Sequence, residues 1–491
     1  MKNQVQLITY VDRLGKGNFD TLKRVLDGPF NDLLGGVHLL PFYSPIDGSD
    51  AGFDPNDHTQ VDVRLGNWSD VAELSKNHDV VADLIVNHVS ADSPQFQDVL
   101  EKGQESSYYD LFLRFGSVFP NGATEDQLTE IYRPRSGIPF TNYRLKDGRQ
   151  KMFWTTFTAK QIDIDVQSNA GQNYLVRILD QFEAADIKLI RLDAVGYAMK
   201  RAGTRCFMIP ETFEFVDHLS EKCKSRGMEV LVEIHAYYRT QIEIARHVDW
   251  VYDFALPPLV LYTLFSCDVE PLHRWLEIAP RNCINVLDTH DGIGVIDVGP
   301  DGDQPGLLDA NQIDHLVETI HSRTGGDSVQ ATGAAARNVD LYQVNSTYYD
   351  AVGRDDLEYL MARAIQFFAP GIPQIYYVGL LAGHNDMDLL GHSLVGRDIN
   401  RHYYDEAEIE EQIKRPVVQG LFKLIRFRNS CDAFNGDFYL EKPSSHQLSM
   451  AWKHAKSHAK LFIDFKSRDF NVSWSEGGES GQYGVKDFLV D

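Results

Sequence analysis

Eight short, largely apolar runs recur along the 491-residue chain at 5–10, 36–41, 80–86, 188–192, 229–232, 250–254, 285–287 and 374–377, each bounded by Gly, Pro or Asp. A strand with one wet face alternates apolar and polar residues. These runs do not, which predicts strands buried on both faces of a parallel sheet. Between them the period changes to that of a helix. Leu175, Ile178, Leu179 and Phe182 share one helical face, as do Leu22, Val25 and Leu26. Eight buried strands alternating with helices predict an α/β fold, a closed (β/α)8 TIM barrel rather than an open sheet.

Two gaps in this rhythm are too long for simple connections, after the third run and after the seventh. Loops without structure of their own rarely exceed about 12–15 residues, so both gaps should hold inserted units. Each follows a strand, which puts it on the C-terminal face of the barrel, where barrel enzymes build their sites. Beyond residue 434 the runs at 448–452, 461–465 and 470–474 are strand-like and separated by polar turns. The expected division is barrel domain A at 1–87, 167–291 and 354–434, inserted domains B at 88–166 and B' at 292–353, and a C-terminal all-β domain at 435–491.

The net charge of −24 disfavours nucleic acid and anionic membranes as partners. It also means that an anionic substrate needs a local cation. Five cysteines without a CxxC pair suggest buried thiols in a reducing compartment, and no structural zinc. The first residues lack the apolar core of a signal peptide, and no stretch approaches the 18 or so apolar residues of a membrane span. A cytoplasmic protein is expected, as monomer or homodimer.

Three carboxylates stand past predicted strand ends: Asp193, Glu233 and Asp291. In a barrel, strand ends converge on one mouth, so these residues can meet. Converging carboxylates suit glycosidic bond cleavage: one attacks the anomeric carbon, one protonates the leaving oxygen, and the anionic surroundings favour an oxocarbenium-like transition state. Taken singly, an Asp at a strand end is more often a helix cap or turn former.

The flanking residues carry a resemblance. Asp83-Leu84-Ile85-Val86-Asn87-His88, Arg191-Leu192-Asp193-Ala194-Val195, Glu229-Val230-Leu231-Val232-Glu233 and Asp288-Thr289-His290-Asp291 resemble the four ordered motifs of the α-amylase superfamily, glycoside hydrolase family 13. Gln161-Ile162-Asp163-Ile164-Asp165 resembles the short motif that closes that family's B domain. The resemblance implies Asp193 as nucleophile, Glu233 as general acid/base and Asp291 as transition-state stabiliser in a retaining mechanism. Further stretches at 47–55, 132–140, 334–345 and 396–401 look like the sucrose phosphorylase branch of the family. That likeness implies transfer of glucose from sucrose to inorganic phosphate, giving α-glucose 1-phosphate and fructose. Asp50, Phe53, His88, Arg191, His290 and Arg397 would then bind the glucosyl ring, with Phe157, Gln161 and Tyr197 lining the pocket. Arg135 and Tyr342 are the implied phosphate contacts; Asp340 and Gln343 are the implied fructose contacts. No organic cofactor is implied. No metal is expected either, because no acidic cluster beside Asp83 and Asn87 completes a cage. Arg337 adds a further cation near the acceptor loop. Phosphorylases of sucrose 6'-phosphate or glucosylglycerate, an α-glucosidase, and a non-catalytic carbohydrate-binding barrel stay open as alternatives.

Overall fold

The computed structural model describes residues 1–48, 50–133, 137–335, 343–442 and 444–489, with the backbone alone at 334–335. Eight parallel strands close into a barrel: β1 (Gln6–Thr9), β2 (Gly36–Leu39), β3 (Asp79–Ile85), β4 (Leu189–Asp193), β5 (Glu229–Val232), β6 (Trp250–Asp253), β7 (Cys283–Asn285) and β8 (Ile372–Tyr376). Neighbours in sequence are neighbours in the barrel, and β8 pairs with β1 through Gln6 and Gln374. Nearly every barrel residue is buried, as strands lacking alternation require.

The seventh strand corrects the expectation at 285–287. Its ladder is at Cys283–Asn285, with Val251 opposite Cys283 and Asp253 opposite Asn285. The Asn285 side chain then donates to the carbonyls of Ala369 and Pro370, each at 3.1 Å, which satisfies acceptors at the start of β8. Val286 and Leu287 are just as buried but lie past the ladder. Asp291 therefore comes from a loop and not from a strand end.

Helices pack outside the strands on apolar faces. Helix α1 (Phe19–Asp27) buries Phe19, Leu22, Val25 and Leu26 under an Asn18 cap; α2 (Asn169–Ala184), capped by Ser168, buries Leu175, Ile178, Leu179 and Phe182. Each such side chain contributes about 1.5–3 kcal/mol through burial. The gap after β3 holds an antiparallel pair (His88–Ser90 with Gln161–Asp163), a hairpin (Phe140–Arg144 with Gln150–Trp154) and short helices. The gap after β7 holds the pair Ile293–Gly294 with Gln343–Val344 and the helices Ala310–Arg323 and Asp327–Ala335.

Past the barrel, a five-stranded antiparallel meander runs over Asp437–Leu440, Gln447–His454, Ser457–Asp464, Asp469–Glu476 and Glu479–Gly484. Trp452 fastens it to the barrel by donating its indole N–H to the Phe368 carbonyl at 2.8 Å. All five cysteines are free thiols. Among the described residues, no helix is long and apolar enough to cross a membrane.

Candidate active site

The site begins with strand register. Arg191 on β4 lies directly opposite Asp83 on β3. Two residues on, Asp193 shares the Arg191 face because side chains alternate along a strand. The Arg191 guanidinium bonds both carboxylates: Asp83, and Asp193 Oδ1 at 2.9 Å. Its other terminal nitrogen lies 3.9 Å from Glu233 Oε2. Asp83 is held to about 2 although burial alone would raise it, because the charges of Arg191 and His38 more than compensate.

Glu233 follows β5, and its backbone N–H extends the ladder to the Leu192 carbonyl at 3.4 Å. Ala194, directly after Asp193, has a left-handed backbone with φ 53°, a strained state for a residue with a Cβ, and its N–H points at Glu233 Oε2 at 3.5 Å. Burial pushes the Asp193 carboxyl well above the usual range. Arg191 opposes that shift, while the charges of Glu233 and Asp83 add to it.

The loop after β7 is pinned at several points. Asp288 pairs with the buried Arg363 at 2.5 Å. Asn400 donates to the Thr289 carbonyl and Arg401 to the His290 carbonyl, both at 3.0 Å. Arg397 then bonds Asp291 directly, and Arg401 lies 3.9 Å away. Burial alone would raise Asp291, yet Arg397, then His290 and Arg401, hold it well below the usual carboxylate range.

These groups open onto one cavity of about 190 Å³, lined by Asp193, Glu233 and Asp291 with Asp50, Phe53, His88, Phe157, Tyr197, His290, Gln343 and Arg397. Phe53 stacks on His290 with ring centroids 4.7 Å apart and planes within 10°. Phe157 meets His88 and Tyr197 edge-on at 5.2 and 5.1 Å. Arg397 approaches Asp50 to 4.0 Å. Burial drives the His290 imidazole down to about 3 and lowers His88 as well, so both rings are neutral at physiological pH. Neutral rings suit contact with sugar hydroxyls.

Gln161, expected to line the pocket, and Arg191, expected to bind the glucosyl ring, are not among the residues that line the cavity. Gln161 is buried with its amide nitrogen 3.1 Å from His88 Nε2 and its oxygen accepting from Thr158. Arg191 lies beneath Asp193. Both fix a residue that faces the cavity. Gln343 spends its side-chain oxygen on the Gly292 N–H at 2.7 Å. Arg135, Arg337, Asp340 and Tyr342 lie outside the described residues.

The cavity also holds residues not singled out from the sequence: Tyr132, Arg133, Phe207 and His235. Arg133 is an exposed guanidinium whose Nη1 donates to the Gly137 carbonyl. His235 follows Glu233 by two residues, and that position past a strand end is the signal available for it. Tyr132, Phe207 and His235 also border an adjoining hollow of about 760 Å³ that contains Arg201, Arg205 and Arg239. The carboxylates of Glu233 and Asp291 and the His235 ring each offer an atom within 4.8 Å of the others, a spacing a cation could use. Arg397 and Arg401 already neutralise Asp291 there, so we assign these residues no metal. Beside Asn87, the Lys200 ammonium bonds Asn87 Oδ1 at 2.8 Å and lies 2.5 Å from Asp163 Oδ2, tying the end of β3 to the first insertion.

Comparison with known proteins agrees with this geometry. Residues 34–246 match the Alpha-amylase family, described as alpha amylase, catalytic domain. A sucrose phosphorylase of Agrobacterium vitis is 60% identical over 97% of this chain and 98% of that protein. One of Bifidobacterium adolescentis is 55% identical over 95% and 93%. The crystal structure of sucrose 6F-phosphate phosphorylase from Thermoanaerobacter thermosaccharolyticum superposes with a TM-score of 0.91 at 39% identity, covering 99% of this chain and 98% of that one. The chain belongs to the sucrose phosphorylase family within the α-amylase group.

Proposed function

We propose that this protein transfers glucose from sucrose to inorganic phosphate by a retaining double displacement, releasing fructose and α-glucose 1-phosphate. One observation carries the reading. A single guanidinium, Arg191, bonds Asp193 and approaches Glu233, while Arg397 bonds Asp291, all around one sugar-sized hollow.

The bond from Arg191 favours negative charge on Asp193, and Glu233, just past the end of the neighbouring strand, is the proton donor of this reading. In the first half-reaction Asp193 attacks the anomeric carbon, Glu233 protonates the glycosidic oxygen, and the C–O bond to fructose breaks. In the second, a phosphate oxygen attacks the same carbon, its proton passes to Glu233, and the ester to Asp193 breaks. Two inversions give net retention. Asp291, kept ionised by Arg397, stabilises positive charge developing on the ring in both transition states. Phe53, His88 and His290 close the cavity around one ring, which favours single glucosyl units over polymers.

The acceptor side needs cations in a chain of net charge −24. Arg133 supplies one at the cavity wall, and Arg135 is the other candidate from the sequence. The greater identity to sucrose phosphorylases, 60% and 55%, favours free sucrose over its 6'-phosphate, the substrate named for the relative at 39%. Incubation with sucrose and phosphate tests the reading. It requires glucose 1-phosphate of α configuration, with fructose in equal amount; free glucose in its place would assign the chain to hydrolysis.

A further inference from the structure

Asp297 takes no part in the chemistry above. It sits in the segment inserted after β7, its side chain is fully buried, and it does not line the cavity. Its carboxylate accepts from three groups of the segment 235–241, a turn and the helix it opens: His235 Nδ1 at 3.0 Å, the Ala236 backbone N–H at 3.1 Å and the Gln241 side chain at 2.9 Å. That segment follows shortly after Glu233. Burying a carboxylate so completely brings little stability over an apolar replacement, so three donors gathered on it indicate fixed orientation.

His235 is held on its other side too. Its ring stacks on Phe254, centroids 3.8 Å apart and planes within 14°. With Nδ1 directed at Asp297, the Nε2 edge lies 3.8 Å from Glu233 Oε1 at the cavity wall. Burial opposes a charge on this ring, but Asp297, then Glu233 and Asp291, outweigh it and raise its proton affinity. Gly294 supplies an independent sign that the pair is built for. A Cβ there would stand 2.4 Å from Asp297 Oδ2 and 3.3 Å from His235 Nδ1, so any side chain would push into the contact.

We propose that Asp297 is a positioning residue for the phosphate half-reaction: it holds His235 as the doubly protonated imidazolium, with Nδ1–H toward itself and Nε2–H toward the cavity, where the Nε2–H donates to the incoming phosphate beside Glu233. The inference rests on the phosphorolysis reading. His235 gives a hydrogen bond and no proton; the phosphate proton still goes to Glu233. Water, as the competing acceptor, has no anionic oxygen for His235 to hold, so the contact discriminates between phosphorolysis and hydrolysis.

The test uses Asp297→Asn and Gly294→Ala, with glucose 1-phosphate and glucose both measured against phosphate concentration. The KM for phosphate should rise by roughly tenfold or more, while glucose release without phosphate changes by less than about threefold. A second readout is the imidazole nitrogen NMR spectrum of His235, assigned by its loss in His235→Gln. It should show both ring nitrogens protonated in the unaltered protein and a changed signal in both variants. Equal loss of both activities with an unchanged His235 signal would reduce Asp297 to a packing role and overturn the proposal. So would an unchanged KM for phosphate, or either ring nitrogen without a proton in the unaltered protein. If the unaltered protein makes no glucose 1-phosphate, the reaction assignment fails with the phosphate role, and the His235 signal still decides the Asp297 contact.

Discussion

Arg191 Nη1 lies 2.9 Å from Asp193 Oδ1 and bonds Asp83 as well, so one guanidinium links the candidate nucleophile to a buried carboxylate of the neighbouring strand. Substituting Arg191→Met leaves the buried Asp83 without its guanidinium, with the His38 ring as its remaining partner. Breaking a buried pair in this way should cost about 3–5 kcal/mol of stability. Arg191→Lys restores a charge without the guanidinium fork, so it should recover part of the stability while kcat/KM for sucrose stays low by about 100-fold. Urea unfolding alongside initial rates separates the two effects.

Asp83 also predicts the response to acid. Burial raises its affinity for a proton, but Arg191 and His38 overcome this and set it at about 2. The folded protein therefore binds this proton more weakly than the unfolded chain. The resulting stabilisation is present above the ordinary carboxylate range and disappears as pH falls through about 2; it amounts to about 2 kcal/mol. Urea midpoints taken at successive pH values should fall across that window. The fall should be shallower in Asp83→Asn, whatever that variant's overall stability.

Arg397 keeps Asp291 ionised against its burial. Removing the guanidinium in Arg397→Ala raises the Asp291 carboxyl, so Asp291 takes up a proton at higher pH. The acid limb of kcat/KM for sucrose should then move upward in pH, by about one unit or more. An acid limb unmoved by this substitution would remove Asp291 from the ionised groups that the rate depends on.

Gly379 tests how the loop after β7 is held. A Cβ on it would sit 1.9 Å from Asp288 Oδ2 and 2.1 Å from Arg363 Nη2, inside the buried pair that anchors that loop. Gly379→Ala should destabilise by about 3 kcal/mol and depress activity, because His290 and Asp291 follow from Asp288. Gly391→Ala is the control. Nothing lies within 4 Å of its added methyl, and because Gly391 is exposed within the helix Met387–Ser393 the substitution should stabilise by about 0.5–1 kcal/mol and leave activity unchanged.

The barrel was legible because strands buried on both faces show as apolar runs, as at Val80 and Val81 or Val230 to Val232. The same signal misplaces β7. Val286 and Leu287 are buried after leaving the ladder, and hydrophobicity alone does not distinguish a strand from a buried turn. Asp193 and Glu233 were readable from their places at and just past strand ends. Asp297 was not: it is 62 residues from His235, in an insertion without periodic pattern, and its role comes from a side-chain contact. Gln161 shows the reverse case. Its place near the cavity could be read, but its contact with His88, by which it acts on a lining residue, depends on the pairing of Gln161–Asp163 with His88–Ser90.

In the proposed mechanism Asp193 attacks the anomeric carbon and Glu233 supplies the proton. Glu233→Gln incubated with α-glucosyl fluoride, whose leaving group needs no proton, separates these roles. The first step should proceed and the second stall, so that peptide mass spectrometry finds one glucosyl residue on Asp193. A glucosyl group on another residue, or steady turnover of the fluoride by Asp193→Asn, would contradict the account.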